Sequence, residues 1–169
     1  MYDGRPQLTP SDVKKIEAEI EERKLVIRPQ LIGEVKEARA QGDLSENFEY
    51  YAAKKAKNEN EGRIRYLERM LKTANVISDE SNDDEVGINN TVTLYFEEDD
   101  EEQVFKVVTS IRGNSLENRI SNESPIGKAI IGHKVGDRVA VQANADYKYY
   151  VVIRAIDKSS GDDDDIKRF

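Results

Sequence analysis

A narrow apolar stripe runs along the first half of this chain at helical spacing, stops at a glycine, and resumes. Val13, Ile16, Ile20, Ile27, Leu31, Val35 and Ala38 recur at steps of three, four and seven residues. After a break at Gln41-Gly42-Asp43-Leu44-Ser45, the rhythm continues through Ala53, Ala56, Ile64, Leu67, Leu71 and Ala74, with Asn60 in the missing seam position. Such a stripe is the a/d seam of a coiled coil, too thin for a helix sunk into a broad core. Asn60 in that seam costs stability and helps to fix the register between the helices. Each stretch covers about 30 residues, which predicts a helix of roughly 45 Å at 1.5 Å per residue. So short a connection forces an antiparallel return. Gly42 suits the left-handed C′ position that ends the first helix, and Asp43 or Ser45 suits the N-cap of the second. Thr9-Pro10-Ser11-Asp12 supplies a start signal for the first helix. Pro29 inside it removes a backbone hydrogen bond and predicts a bend.

From residue 76 the period changes. A polar connector precedes Thr91–Phe96, where Val92, Leu94 and Phe96 alternate onto one face of a strand. Residues 103–111 form a second candidate strand, joined to the first through the acidic run 97–102, which reads as a solvated hairpin tip. Ser124-Pro125 is an N-cap followed by proline at the first helical position, so residues 125–131 predict a short helix, ended by Gly132. Residues 138–142 and 147–156 predict another hairpin around Asn144-Ala145-Asp146. The expected fold class is α+β: a long antiparallel helical coiled coil, residues 1–76, then a linker, 77–87. A small antiparallel sheet with one short helix follows over 88–157, then an acidic, disordered tail, 158–169.

Charge divides along the same line. Residues 1–75 carry 15 Lys and Arg against 14 Asp and Glu, whereas residues 76–169 carry 11 against 20. The second part therefore repels nucleic acid phosphates. Within the first, residues 54–72 hold seven basic and three acidic side chains. They read either as a solvated helix face laced with i,i+4 pairs or as a contact surface for RNA or an acidic channel. The chain has no cysteine and one histidine, His133. Disulfides, thiolate metal sites, His-based zinc sites and a Ser-His-Asp triad are thereby disfavoured, and His133 reads as a surface residue. There is no Gly-rich phosphate loop, no apolar run of the ~18–20 residues a membrane span needs, and no secretory signature at the N-terminus. The expectation is a cytoplasmic protein that works on a partner rather than an enzyme.

At the turn the residues meet a known pattern. The run from Glu37-Ala38-Arg39 through Gly42-Asp43-Leu44-Ser45-Glu46-Asn47 to Glu49-Tyr50 resembles the "EAR…GDL.EN.EY" hallmark of bacterial Gre transcript cleavage factors. Ala52-Ala53-Lys54, Glu61-Gly62-Arg63-Ile64, Ser124-Pro125-Ile126-Gly127-Lys128-Ala129 and Lys134-Val135-Gly136-Asp137 extend the resemblance over residues 8–156 in the family's order. It implies a coiled coil followed by an FKBP-like domain, and a monomer that assists bacterial RNA polymerase. The coiled coil would enter the secondary channel of a backtracked complex, where the polymerase itself hydrolyses the nascent RNA near its 3′ end. By the same resemblance, Asp43 and Glu46 are the tip acids and bind metal only in complex with polymerase. They would help to hold its Mg²⁺, Asp43 directly and Glu46 through water or by positioning the nucleophile, and the chain has no cofactor of its own. Leu44 and Ser45 would shape the tip, and Arg39 and Lys54 would steady RNA phosphates. Glu123, Ser124, Pro125 and Ile126 would dock on the channel rim, although family members often carry Asp where this chain has Glu123. Two segments, 109–119 and 143–149, depart from the common pattern.

Other readings stand beside these. Asp-x-x-Glu before a helix is also a capping box, and Ser124 is explained equally by starting a short helix. The scaffold also suits a regulator that occupies the channel and inhibits without promoting cleavage. An FKBP-type isomerase or chaperone would need an aromatic-lined pocket, and the chain has no Trp and four Phe.

Overall fold

The computed structural model describes residues 4–42 and 47–168, and these fall into two compact units. One comprises residues 4–6 and 12–74; the other comprises Gln7–Ser11 and the chain from Asn75 onward.

The helical unit carries α1 (Pro10–Glu22) from Asp12 onward, a π-helical segment (Arg23–Ile27), α2 (Arg28–Ala40) and, after the turn, α3 (Phe48–Thr73). Where a bend was expected at Pro29, the chain widens into π geometry just before it. The Arg28 N–H reaches back five residues to the Arg23 carbonyl. Proline offers no N–H and its ring crowds the carbonyl four residues back, so one extra residue in the preceding turn relieves both problems. The insertion also turns Leu25 and Val26 outward, 67% and 59% exposed, while every seam residue stays buried or half-buried. Ile16, Ala38, Ile64 and Leu67 are the most enclosed.

Polar rungs cross the hairpin. Asn60, 4% exposed, accepts from Arg23 Nη1 at 2.9 Å and donates Nδ2 to the Arg23 carbonyl at 3.3 Å. That carbonyl is the one the π turn already uses, so Asn60 reads the insertion directly. On one side Glu19 accepts from Arg63 at 2.8 and 3.2 Å and from Arg23 at 2.7 Å. On the other, Arg28 makes a two-pronged pair with Glu61 at 2.7 Å per contact. Burial pushes the Glu19 carboxyl up, but hydrogen bonds from Arg63 and Arg23, with their charges, hold it below its usual range. The Arg28 hydrogen bond does the same for Glu61, outweighing desolvation. These forked pairs match only one axial alignment of the helices.

In the second unit β1 (Gln7–Leu8) pairs in parallel with β2 (Asn75–Val76). The main sheet runs β5 (Arg119–Ser121), β4 (Glu101–Val108), β3 (Thr91–Phe96), β7 (Lys148–Asp157), β6 (Arg138–Gln142). Its core is Val92, Leu94 and Phe96 of β3 with Val107, Val139, Val141, Val151 and Ile153, closed by Ile130 of α4 (Pro125–Ile130). Ser124 caps α4 by accepting from the Gly127 N–H at 3.1 Å, and Gly132 follows at φ +82°.

The sheet differs from expectation in four places. The second strand ends at Val108, and Ile111 belongs to a 3₁₀ turn, Ser110–Arg112. The sheet is mixed rather than antiparallel, because the three-residue β5 pairs in parallel with β4; a strand that short carries no readable alternation. The connector 77–87 enters the sheet unit, with Val86 in its core and hydrogen-bonded to the His133 carbonyl at 2.9 Å. The tail expected to be disordered is tied down, with the Lys167 N–H on the Ile111 carbonyl at 2.8 Å.

Candidate functional site

The four turn residues singled out in the sequence, Asp43, Leu44, Ser45 and Glu46, lie outside the described residues. What the structure describes is the neck that carries them. Gly42 takes φ +118° directly after α2, a conformation that favours glycine. The N-cap of α3 is Asn47, not Asp43 or Ser45: Asn47 Oδ1 accepts from the Tyr50 N–H at 2.9 Å. Its Nδ2 donates to the Ala38 carbonyl at 2.7 Å. One amide thus satisfies an orphan donor of α3 and gives a second donor to the Ala38 carbonyl of α2, which also accepts from the Gln41 N–H at 3.2 Å. Neither Asp nor Ser at this position could hold both bonds, because a carboxylate has no donor and a hydroxyl has only one short arm. Asn47 thereby ties the start of α3 to the last turn of α2.

Two faces of the neck differ in charge. On one, the Arg39 guanidinium lies over the Tyr50 ring, 5.6 Å from its centroid. A hydrogen bond from Arg39, reinforced by the charges of Lys54 and Arg39, holds the Tyr50 hydroxyl below its ordinary range against desolvation. The two basic residues picked out in the sequence are therefore brought together around one tyrosine. Tyr51, 51% exposed, stands beside it, edge-on to Tyr50 at 5.5 Å, and Phe48 at the start of α3 is 84% exposed. Cations beside exposed aromatic faces suit unpaired nucleotides, which present phosphates and π-faces together. The other face is an open hollow of about 420 Å³ between α2 and α3, floored by Ala38, Ala52, Ala53 and Ala56, with Glu34, Glu37 and Glu49 around it. Phosphates are repelled there.

Sequence reasoning missed the aromatic residues. The available signal was that Phe48 and Tyr51 fall off the seam that Ala53 and Ala56 follow, and so cannot be core. The basic stretch 54–72 divides as well. Arg63 turns inward to Glu19 and Lys55 faces Glu59 at 3.9 Å, whereas Lys54, Arg65, Arg69 and Lys72 stay exposed.

In the segment 123–126, Glu123 points back into its own unit, accepting from the Ser110 hydroxyl at 2.6 Å. Ser124 donates to the Ser121 carbonyl at 2.6 Å while capping α4. Pro125 is exposed and Ile126 packs against the core. His133 is exposed, with Nδ1 3.1 Å from Asp137. Among the described residues no group of three or more His, Cys, Asp or Glu could hold a metal ion, and no helix is long and apolar enough to cross a membrane.

Comparison with known proteins covers both units. Residues 6–76 match the family model "Transcription elongation factor, N-terminal", and residues 80–158 match "Transcription elongation factor, GreA/GreB, C-term". The chain is similar to the transcription elongation factor GreA of Thermoanaerobacter pseudethanolicus, 48% identical over 139 residues, covering 82% of this chain and 88% of that protein. It is 41% identical over 154 residues to GreA of Streptococcus thermophilus, covering 90% and 96%. A solved structure of the transcription factor Gfh1 aligns over 90% of this chain and 97% of its own, at 25% identity and a TM-score of 0.45.

Proposed function

The chain belongs to the GreA/GreB family of transcription elongation factors, and from that premise we propose that it stimulates transcript cleavage by bacterial RNA polymerase. The hairpin enters the secondary channel of a backtracked complex and delivers Asp43 and Glu46 to the active centre beside the extruded RNA 3′ end. Hydrolysis belongs to the polymerase. Asp43 and Glu46 offer hard carboxylate oxygens, the donor type that Mg²⁺ prefers, but too few for six ligands, so they share an ion held mainly by the polymerase. That ion supplies charge stabilisation to the attacking and leaving oxygens of a phosphoryl displacement. Asp43 serves as a ligand and Glu46 orients a water, while Leu44 and Ser45 shape the turn. Arg39 and Lys54 hold the phosphates of extruded RNA. Residues 123–126 meet the channel rim, and the factor works as a cytoplasmic monomer.

One observation carries this reading: one family match spans the helical hairpin and a second covers the sheet unit, and Asn47 bonds α2 to α3 at the end of the hairpin where the sequence carries Asp43 and Glu46. The test is RNA shortening by halted, backtracked polymerase in Mg²⁺. The protein is expected to stimulate it, and the Asp43→Asn, Glu46→Gln double variant to lose stimulation while still binding polymerase. Undiminished cleavage by the double variant refutes the tip assignment. Slowed synthesis without shortening identifies an inhibitor instead, and RNA cut without polymerase places a catalytic centre in this chain.

A further inference from the structure

The GreA/GreB match ends at residue 158, and the chain continues as Ser159-Ser160-Gly161 followed by four aspartates. Such a segment has the composition of a solvated tail, yet it is held along its length. The Ser160 hydroxyl is 2.5 Å from that of Thr91. Lys106 donates to the Gly161 carbonyl and to the Asp164 carboxylate. Arg112, 2% exposed, donates Nη1 to the Asp162 carbonyl and Nη2 to the Ser11 hydroxyl at 3.0 Å; that hydroxyl in turn reaches Asp162 at 3.3 Å. Arg119 lies 3.9 Å from Asp164, and the Lys167 N–H returns to the Ile111 carbonyl.

The three cations form one groove. Lys106 and Arg119 face each other across the parallel β4·β5 pairing, and Arg119 Nε is fixed on the Arg112 carbonyl at 2.9 Å. We infer that this groove is a binding site for an acidic peptide, and that residues 160–167 are its intramolecular occupant. Its chemistry selects a peptide over a free anion. Two consecutive main-chain carbonyls, a carboxylate two residues further on, and a main-chain N–H are all recognised, and a phosphate can present no such series. Its setting selects a short segment, because the surrounding residues 76–169 carry excess acid and repel an extended polyanion. A tethered occupant acts at an effective concentration in the millimolar range. An acidic segment of a partner therefore reaches the groove only by outcompeting the tail, which makes the tail a gate. The inference stands independently of the polymerase reading.

The test uses the full chain, its Asp164→Lys and Lys106→Glu variants, and a fluorescein-labelled peptide of residues 159–168 as probe. In the wild-type chain the Lys167 amide should be protected from hydrogen exchange and the probe should bind weakly. Asp164→Lys sets a cation against Lys106 and Arg119 and expels the tail, so the amide loses protection and probe affinity rises at least tenfold. Lys106→Glu also frees the tail but spoils the groove, so protection falls without any gain in probe binding. Inorganic phosphate at matched ionic strength should not displace the probe from the Asp164→Lys protein. The inference is overturned by an unprotected Lys167 amide in the wild type, by retained protection in Asp164→Lys, by failure of that variant to bind the probe, or by displacement with phosphate.

Discussion

Replacing Asn47 by alanine removes two hydrogen bonds and little else, because this half-buried side chain sits on the neck rather than in the seam. Loss of the cap to Tyr50 costs about 1 kcal/mol. Loss of the bond to the Ala38 carbonyl costs about another 1 kcal/mol. Together these raise the local opening constant of the neck about thirtyfold. The Tyr50 amide is the reporter, since its acceptor is the Asn47 side chain itself. Hydrogen exchange followed by NMR should show it exchanging about thirtyfold faster in Asn47→Ala. Asn47→Asp keeps the acceptor for Tyr50 but loses the donor to Ala38 and sets a carboxylate oxygen against that carbonyl, so an effect of about fivefold or somewhat more, still below that of Asn47→Ala, is expected. Amides of the main sheet should be unchanged in both variants. Unaltered protection of the Tyr50 amide in Asn47→Ala would show that the cap does not close the neck. Equal damage from Asp and Ala would show that the two bonds are not separable. If the neck aims the tip acids, both variants should also lower cleavage stimulation in the same order, with polymerase binding retained.

Two further outcomes concern the frame of the molecule. Glu19 and Glu61 have carboxyls held below their usual range in the folded chain. Their contribution is therefore complete above the unfolded Glu value of about 4.3 and is lost as pH falls through the lowered folded value. Helical circular dichroism should show the thermal midpoint of the hairpin dropping in that acid window, and Glu19→Gln with Glu61→Gln should flatten the drop; an undiminished acid slope in the double variant removes these pairs from the account. Gly127 is the second case: a Cβ there would stand 2.1 Å from the Ser121 carbonyl oxygen and 3.0 Å from Asn122 Cα, so α4 has to move. Gly127→Ala should destabilise the sheet unit by about 2–3 kcal/mol in denaturant unfolding. Gly62→Ala, whose Cβ would meet only the Arg65 guanidinium at 3.8 Å, should instead stabilise α3 by about 0.5–1 kcal/mol. Similar effects of the two alanines would contradict the packing described around α4.

Local pattern was enough for much of this protein. The seam from Val13 to Ala74, the return at Gly42, the alternation of Val92, Leu94 and Phe96, and the Ser124-Pro125 helix start each arise between residues a few positions apart. The periods of 3.6 and 2 make such features visible in a linear text. The family was likewise legible, through the motif around the turn and the segments that accompany it. Tertiary structure decided the rest. Nothing in the spacing shows that Arg28 meets Glu61, that Arg63 turns inward to Glu19, or that Asn47 bonds to Ala38 as well as to Tyr50. Composition shows the exposed Asp162, Asp163 and Asp165 of the tail but not that its main chain and Asp164 meet Lys106, Arg112 and Arg119, which the fold brings to it from 45 or more residues away. The physical reason is common to these cases. Periodicity reports which face of an element is apolar, whereas charged and amide groups are satisfied by whichever partner the fold delivers.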